Sequence, residues 1–221
     1  MDKKRRYNTI FFDAGGVLFD TKISRNERIS GILTARGFNK QDIENAISVG
    51  NKFSEASLKT GPWLDNWEKE EIFWDNYYGK ILEVLCKDYT YSLKRQLLHQ
   101  THYAIHCALF DEVREVLEEL HGKYRLGVIS NAFPSMDWVF DLLDIRKYFE
   151  TITISSFVGI SKPEKGIYEF ALNSLGVMPE ECLFIDDKII NNESAIDIGF
   201  KGLYLDRKVD DLRTLLRKVE L

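Results

Sequence analysis

The chain has 221 residues, 44% of them hydrophobic and 29% charged, the composition of a soluble globular protein long enough to bury a core without disulfides or structural metals. Lys+Arg of 30 against Asp+Glu of 35 leaves a net charge of −5, which argues against nucleic-acid binding through bulk charge, because phosphate contacts need a basic footprint. No apolar run approaches the roughly 18 residues of a membrane helix. The cysteines Cys86, Cys107 and Cys182 show neither metal spacing nor a disulfide framework, which suits a reducing, cytoplasmic setting.

Taken in chain order, Lys3, Lys4, Arg5 and Arg6 read as a solvated tail. The apolar stretch after them is too short, and too soon interrupted by Asp13, to make a secretory leader. Ile10-Phe11-Phe12 predicts a strand that ends at Asp13-Ala14-Gly15-Gly16. Residues 20–107 hold helical patterns and few strand signals. Trp63, Trp67, Phe73, Trp74, Tyr77 and Tyr78 fall within them, and such aromatics more often pack a small bundle than line a pocket. His99, His102 and His106 are three and four residues apart, which predicts one face of a helix. A metal site there would need ligands that the neighbouring sequence does not supply.

A strand–helix rhythm then begins. Asp111 is placed to cap a helix carrying Val113, Val116, Leu117 and Leu120. Residues 126–129 predict a strand ending at Ser130-Asn131, and residues 151–154 one ending at Ser155-Ser156. Pro163 is placed to open a helix with Ile167, Phe170, Ala171 and Leu175, closed by Gly176. Residues 182–185 predict a strand ending at Asp186-Asp187, and residues 203–205 one ending at Asp206. Asp210 starts a last amphipathic stretch with Leu212, Leu215, Leu216 and Val219. Continuous Ile/Val/Phe runs suit strands buried on both faces of a parallel sheet. The predicted architecture is therefore α/β: a Rossmann-like parallel sheet core from residues 1–19 and 108–221, with an inserted helical cap at 20–107.

Ligands of open α/β sheets bind beyond the carboxyl ends of the strands, and the unusual residues fall there. Asp13, Asp186 and Asp187 would crowd three negative charges into one mouth, which is unfavourable unless something neutralises them. A hard cation with oxygen ligands does so, and Mg²⁺ fits. Gly15 and Gly16 free the backbone to approach an anion, and Ser130, Asn131 and Lys162 add donors and one positive charge. A metal, an anion nest, a lysine and a carboxylate nucleophile together describe phosphoryl transfer.

Four segments carry a resemblance: residues 11–20 (FFDAGGVLFD), 128–131 (VISN), 161–163 (SKP) and 184–187 (FIDD). Together, in this order and spacing, they resemble the haloacid dehalogenase-like hydrolase superfamily, in the branch with a helical cap after the first strand. The resemblance implies Asp13 as nucleophile forming an aspartyl-phosphate, Ser130 bonded to the phosphoryl oxygens, Asn131 facing the substrate, and Lys162 balancing charge. It implies Mg²⁺ held by Asp13, the main-chain carbonyl of Gly15, Asp187 and Asp186, with Asn191 where many relatives carry a further acid. The implied substrate is a small phosphorylated metabolite, handled by a monomer or homodimer without nucleic acid or membrane. Position 15 departs from the pattern: phosphatases of the family usually carry an Asp there that serves as general acid and base. Three readings follow: an Mg²⁺-dependent phosphatase that relays the proton otherwise, a metal-independent 2-haloacid dehalogenase, or a scaffold that binds a phospholigand or protein and turns over little. The paired acids at 186 and 187 speak against the dehalogenase. Without a built-in acid, a phosphatase is expected to favour esters whose leaving group needs little protonation.

Overall fold

A computed structural model describes residues 6–61, 63–86 and 89–219; Lys3, Lys4 and Arg5 of the basic tail lie outside them. The chain forms two compact units, Met1–Asp20 with Cys107–Leu221, and Thr21–His106.

The first unit is built on a five-stranded parallel sheet. Its strands are β1 (Thr9–Phe12), β4 (Arg125–Ser130), β5 (Thr151–Ile154), β6 (Cys182–Asp186) and β7 (Lys201–Tyr204), in the order β5-β4-β1-β6-β7. Every residue of β1 and β6 is buried, as expected of central parallel strands covered on both faces. Phe11 pairs with Gly127 on one side and Phe184 on the other. A Cβ at Gly127 would stand 2.6 Å from the Phe11 ring, so glycine lets β4 approach that side chain. The chain runs from β1 outward to β4 and β5, then returns to β6 beside β1. The reversal brings the carboxyl ends of β4, β1 and β6 together, at the switch point where such sheets bind ligands.

Helices α5 (Val113–Leu120), α6 (Met136–Leu142), α7 (Ser155–Val158), α8 (Lys165–Leu175), α9 (Ile189–Ile198) and α10 (Leu212–Arg217) complete this unit. Ile167, Tyr168, Ala171 and Leu172 of α8 pack with Phe11, Phe184 and Phe200 in one buried cluster. The Tyr168 and Phe184 rings meet edge to face at 5.4 Å, the arrangement the ring quadrupoles favour. Gly176 ends α8 in the left-handed conformation, as the sequence predicts.

Several predicted details are corrected. Asp111 does not cap α5: the N-cap is Glu112, without a side-chain cap bond, because its Oε1 accepts the Leu212 N–H instead. Phe170 lies on the exposed face of α8, 50% accessible. Pro163 precedes α8, which starts at Lys165. Strand β7 starts at Lys201 and ends before Leu205. The last helix, α10, starts at Leu212 rather than at Asp210, with Asp211 as its N-cap accepting the Thr214 N–H. Two short strands escape the periodicity altogether. They are β2 (Phe19–Thr21) and β3 (Cys107–Leu109), which form a separate two-stranded sheet too short to show alternation.

The second unit is helical: α1 (Arg25–Ala35), α2 (Lys40–Thr60), α3 (Trp67–Leu85) and α4 (Tyr91–Gln100). Each helix starts on a side-chain cap, from Ser24, Asn39, Asn66 and Thr90 respectively, and each cap is worth about 1 kcal/mol. Phe73, Trp74, Tyr77 and Tyr78 are buried and meet in a chain of edge-to-face contacts, so the aromatic cluster is core. Trp63 stays exposed. The three histidines do not share a helix face, because α4 stops at Gln100. Burial instead holds His102 neutral, its pKa pushed down to about 4, with the charges of Arg25, His99, Arg28 and His106 adding to the effect. Among the described residues no helix is long and apolar enough to cross a membrane.

Candidate active site

Asp13 follows β1, Ser130 ends β4, and Asp186 ends β6 with Asp187 after it. The parallel register places Phe12 beside Ile185 and Val128, so the residues just past each strand converge. One carboxylate oxygen from each of Asp13, Asp186 and Asp187 lies within 4.8 Å of the other two.

Lys162 comes from the loop before α8 and is the cation of this cluster. Its Nζ donates to the Ile129 carbonyl at 2.7 Å and to Asp186 Oδ2 at 2.7 Å, and lies 3.0 Å from Asp13 Oδ1. With its side chain 1% exposed, these three contacts use all three ammonium donors. Asn131 holds it there. The amide Nδ2 donates to the Lys162 carbonyl at 2.7 Å and its Oδ1 accepts the Lys162 N–H at 2.7 Å. The amide expected to face the substrate is thus engaged in clamping the lysine backbone.

Asp186 is fully buried and saturated. Its Oδ1 accepts from the Lys188 N–H at 2.8 Å and Asn191 Nδ2 at 3.0 Å, and its Oδ2 from Lys162 and Asn191 at 2.9 Å. Those four contacts fill the acceptor sites of a carboxylate. Asn191, expected at most to belong to a metal shell, orients this acid. Asp13 differs. Its Oδ1 accepts the Ala14 N–H at 2.7 Å as well as facing Lys162, while Oδ2 has no hydrogen-bond donor among the described residues. Burial pushes the Asp13 carboxyl upward from its ordinary range, opposed by Lys162 and reinforced by Asp186. Asp187 is also shifted upward, first by burial and then by the Asp13 and Asp186 charges. Its Oδ1 is buried with no hydrogen-bond partner.

The loop after Asp13 is shaped by two different glycines. Gly16 has φ +80°, and a Cβ there would stand 2.5 Å from Asp187 Oδ2. Both the left-handed backbone and the carboxylate therefore demand glycine. Its N–H donates to the Phe19 carbonyl at 3.0 Å, so this amide is committed within the loop rather than open to an anion. A Cβ on Gly15 would find nothing within 4 Å. Arg207, which nothing in the local sequence singles out, straps the same loop. Its guanidinium donates to the Gly16 carbonyl at 3.4 Å and to the Val17 carbonyl, pairs with Glu112, and lies 3.8 Å from the Phe110 ring centre. The contact spans 190 residues, so only the fold reveals it.

An aspartate with one unengaged oxygen at the switch point of a parallel sheet, beside a buried lysine and two further acids, points to a hydrolytic enzyme on an α/β sheet core. Residues 7–199 match the haloacid dehalogenase-like hydrolase family, and the chain belongs to that family, in the branch with a helical cap after the first strand. It is similar to the glyceraldehyde 3-phosphate phosphatase of Pyrococcus furiosus, 27% identical over 90% of this chain and 81% of that one. Among solved structures it resembles a family member from Bacteroides thetaiotaomicron in complex with magnesium and inorganic phosphate. There the TM-score is 0.63 and the identity 21%, covering 96% of this chain and all of that one. It also resembles the L-2-haloacid dehalogenase of Xanthobacter autotrophicus, with TM-score 0.61 and 19% identity over 97% and 82% of the two chains. At these identities the solved structures speak for the fold.

Proposed function

We propose that the protein is a divalent-metal-dependent phosphatase of a small phosphorylated metabolite, acting through a phosphorylated Asp13. The observation that carries this reading is the charge balance. Three carboxylates meet one ammonium, and a buried oxygen of Asp187 has no partner. The deficit is two negative charges, the charge of one divalent cation, and the donor set is all oxygen, which suits Mg²⁺. Asp13, Asp187 and the Gly15 carbonyl would hold it directly. Asp186, with its acceptor sites filled, contributes charge and fixes Lys162. The ion would supply Lewis-acid stabilisation of the transferring phosphoryl group.

The chain's own residues do the rest. Lys162 and the Ala14 N–H hold Asp13 Oδ1, which leaves Oδ2 aimed as the nucleophile. Its bond to phosphorus forms as the bond to the leaving oxygen breaks. Water then attacks the phosphorus of the aspartyl-phosphate, the Asp13 carboxylate departs, and phosphate is released with a proton to solvent. The Ser130 hydroxyl at the end of β4 donates to a phosphoryl oxygen. The helical unit, cap of the fold, selects the rest of the substrate. The Pyrococcus furiosus relative, named as a phosphatase of glyceraldehyde 3-phosphate, supports a small phosphorylated metabolite as the substrate class.

A panel of phosphometabolites with Mg²⁺, run beside Asp13→Asn, tests the reading. Phosphate release that needs the metal and is lost in the variant is expected, with a phosphoryl adduct on Asp13 seen by mass spectrometry. Halide release from a 2-haloacid without metal would replace this reading with the dehalogenase.

A further inference from the structure

We infer that this enzyme is selective for phosphates whose leaving group is stable as an anion, such as acyl, enol and aryl phosphates, over simple alkyl phosphates. The inference rests on the phosphatase reading and deepens it.

It comes from counting proton donors at the rim. Breaking the P–O bond leaves an electron pair on the departing oxygen, and an alkoxide needs a proton to leave readily. Six side chains gather here. Asp13 is the nucleophile. The Lys162 ammonium has its three donors on Ile129, Asp186 and Asp13. Asp186 accepts four hydrogen bonds and is fully buried. Neither of its oxygens is left to face a leaving group. Asp187 faces Asp13 and Asp186, and as a ligand of the proposed cation its carboxylate would be committed as an acceptor. The Asn131 amide is spent on the Lys162 backbone. Ser130 carries a hydroxyl, a hydrogen-bond donor but no acid. None of these six described side chains is placed to protonate a leaving oxygen.

The gap has a location. Gly15 sits two residues beyond the nucleophile, and a Cβ there would meet open space. The backbone would accept an acidic side chain, so sterics do not exclude one. In the reaction as the chain stands, the Asp13 Oδ2–P bond forms, the leaving oxygen departs with its electron pair, and no proton passes from the protein. Acyl and enol phosphates leave as carboxylate and enolate, and aryl phosphates as phenolate. General-acid help, worth about 10²–10⁴-fold where it operates, is lost for alkyl esters and hardly matters for these.

The test is kcat/KM, which reports phosphoryl transfer to the enzyme, measured with Mg²⁺ for acetyl phosphate, p-nitrophenyl phosphate, phenyl phosphate and glycerol 3-phosphate. Wild type is expected to lose activity steeply along the series. Gly15→Asp should narrow the gap between p-nitrophenyl and alkyl phosphate by about 10²-fold or more. Gly15→Asn, equal in size with no acid, should leave the gap wide. A flat wild-type series, with Asp13→Asn inactive, overturns the inference and leaves the phosphatase reading standing, because some other group then supplies the proton. Undiminished phosphate release by Asp13→Asn overturns the phosphatase reading itself. The wild-type series decides the matter even if Gly15→Asp fails to fold.

Discussion

Replacing Lys162 by methionine keeps most of the side-chain volume and removes the charge together with its hydrogen-bond donors. Its ammonium lies 2.7 Å from Asp186 and 3.0 Å from Asp13, and all three side chains are buried. At an effective dielectric of about 20, each attraction is roughly 5–6 kcal/mol. Desolvating the ammonium costs several kcal/mol, so the net effect is smaller, and breaking a buried pair by removing one partner typically costs about 3–5 kcal/mol. That is a large share of a typical domain stability of about 5–15 kcal/mol. Asp186 suffers most, because it has no water to turn to. Asp13, already pushed upward by burial, loses the ammonium that opposes the shift and titrates above its unfolded value. A carboxylate with a raised folded pKa lowers stability at neutral pH and ceases to do so as pH falls towards the unfolded value. Urea unfolding in EDTA should therefore show the Lys162→Met loss at pH 7 and a smaller loss at pH 5. Adding Asp186→Asn should restore at least about half of it, since the pair interacts directly. A loss under about 1 kcal/mol at pH 7, or no recovery in the double variant, would refute the claim that the lysine neutralises these acids.

Three other outcomes are expected. Gly16→Ala should cost about 1–2 kcal/mol for the left-handed backbone and weaken Mg²⁺ binding, because its Cβ would displace Asp187; calorimetric titration with Mg²⁺ reads the second effect, and Gly15→Ala should show no backbone strain. Asp187→Asn should stabilise the metal-free protein at neutral pH, because burial and like charges raise this carboxyl. The gain should vanish as pH falls to the ordinary carboxylate range, and the Mg²⁺-induced rise in Tm should disappear with it; an unchanged Tm rise counts against Asp187 as ligand. Arg207→Met should lower kcat by several-fold or more with a smaller change in KM, since Arg207 fixes the loop that carries Gly15 and Gly16; wild-type kinetics would show that the loop holds itself.

The parallel core was legible because β1, β4 and β6 are buried on both faces and read as uninterrupted apolar runs. Their ends were legible because Asp, Ser and Asn stop such runs abruptly. Element starts were less so. Glu112 and Asp111 look alike as caps, and only the tertiary demand of the α10 start on Glu112 separates them. Phe170 fits an apolar stripe by spacing, yet faces outward, because Ile167, Ala171 and Leu172 already fill the contact with the sheet. The histidine face failed for a local reason: α4 ends at Gln100, and its C-terminal turn carries the later histidines off the helix axis.

At the site, residue identity was legible and commitment was not. By residue type and position alone, Asn131 and Asp186 are groups offered to ligand and metal. The geometry spends the first on Lys162 and saturates the second, through Asn191 and the Lys188 amide. Both belong to the framework that fixes the Lys162 ammonium against Asp13 Oδ1, leaving Asp13 Oδ2 and the Asp187 carboxylate without hydrogen-bond donors among the described residues. The same distinction changes the meaning of the acidic net charge of −5. An acidic chain attracts a phosphate only where local charge is reversed, and Lys162 cannot do this alone, since its donors are consumed internally. A divalent cation held at Asp13 and Asp187, as proposed, would reverse the sign at the mouth of the site. On that reading metal and anion binding are coupled by charge: calorimetric titration should show phosphate affinity rising with bound Mg²⁺ and, by reciprocity, Mg²⁺ affinity rising by the same factor with bound phosphate.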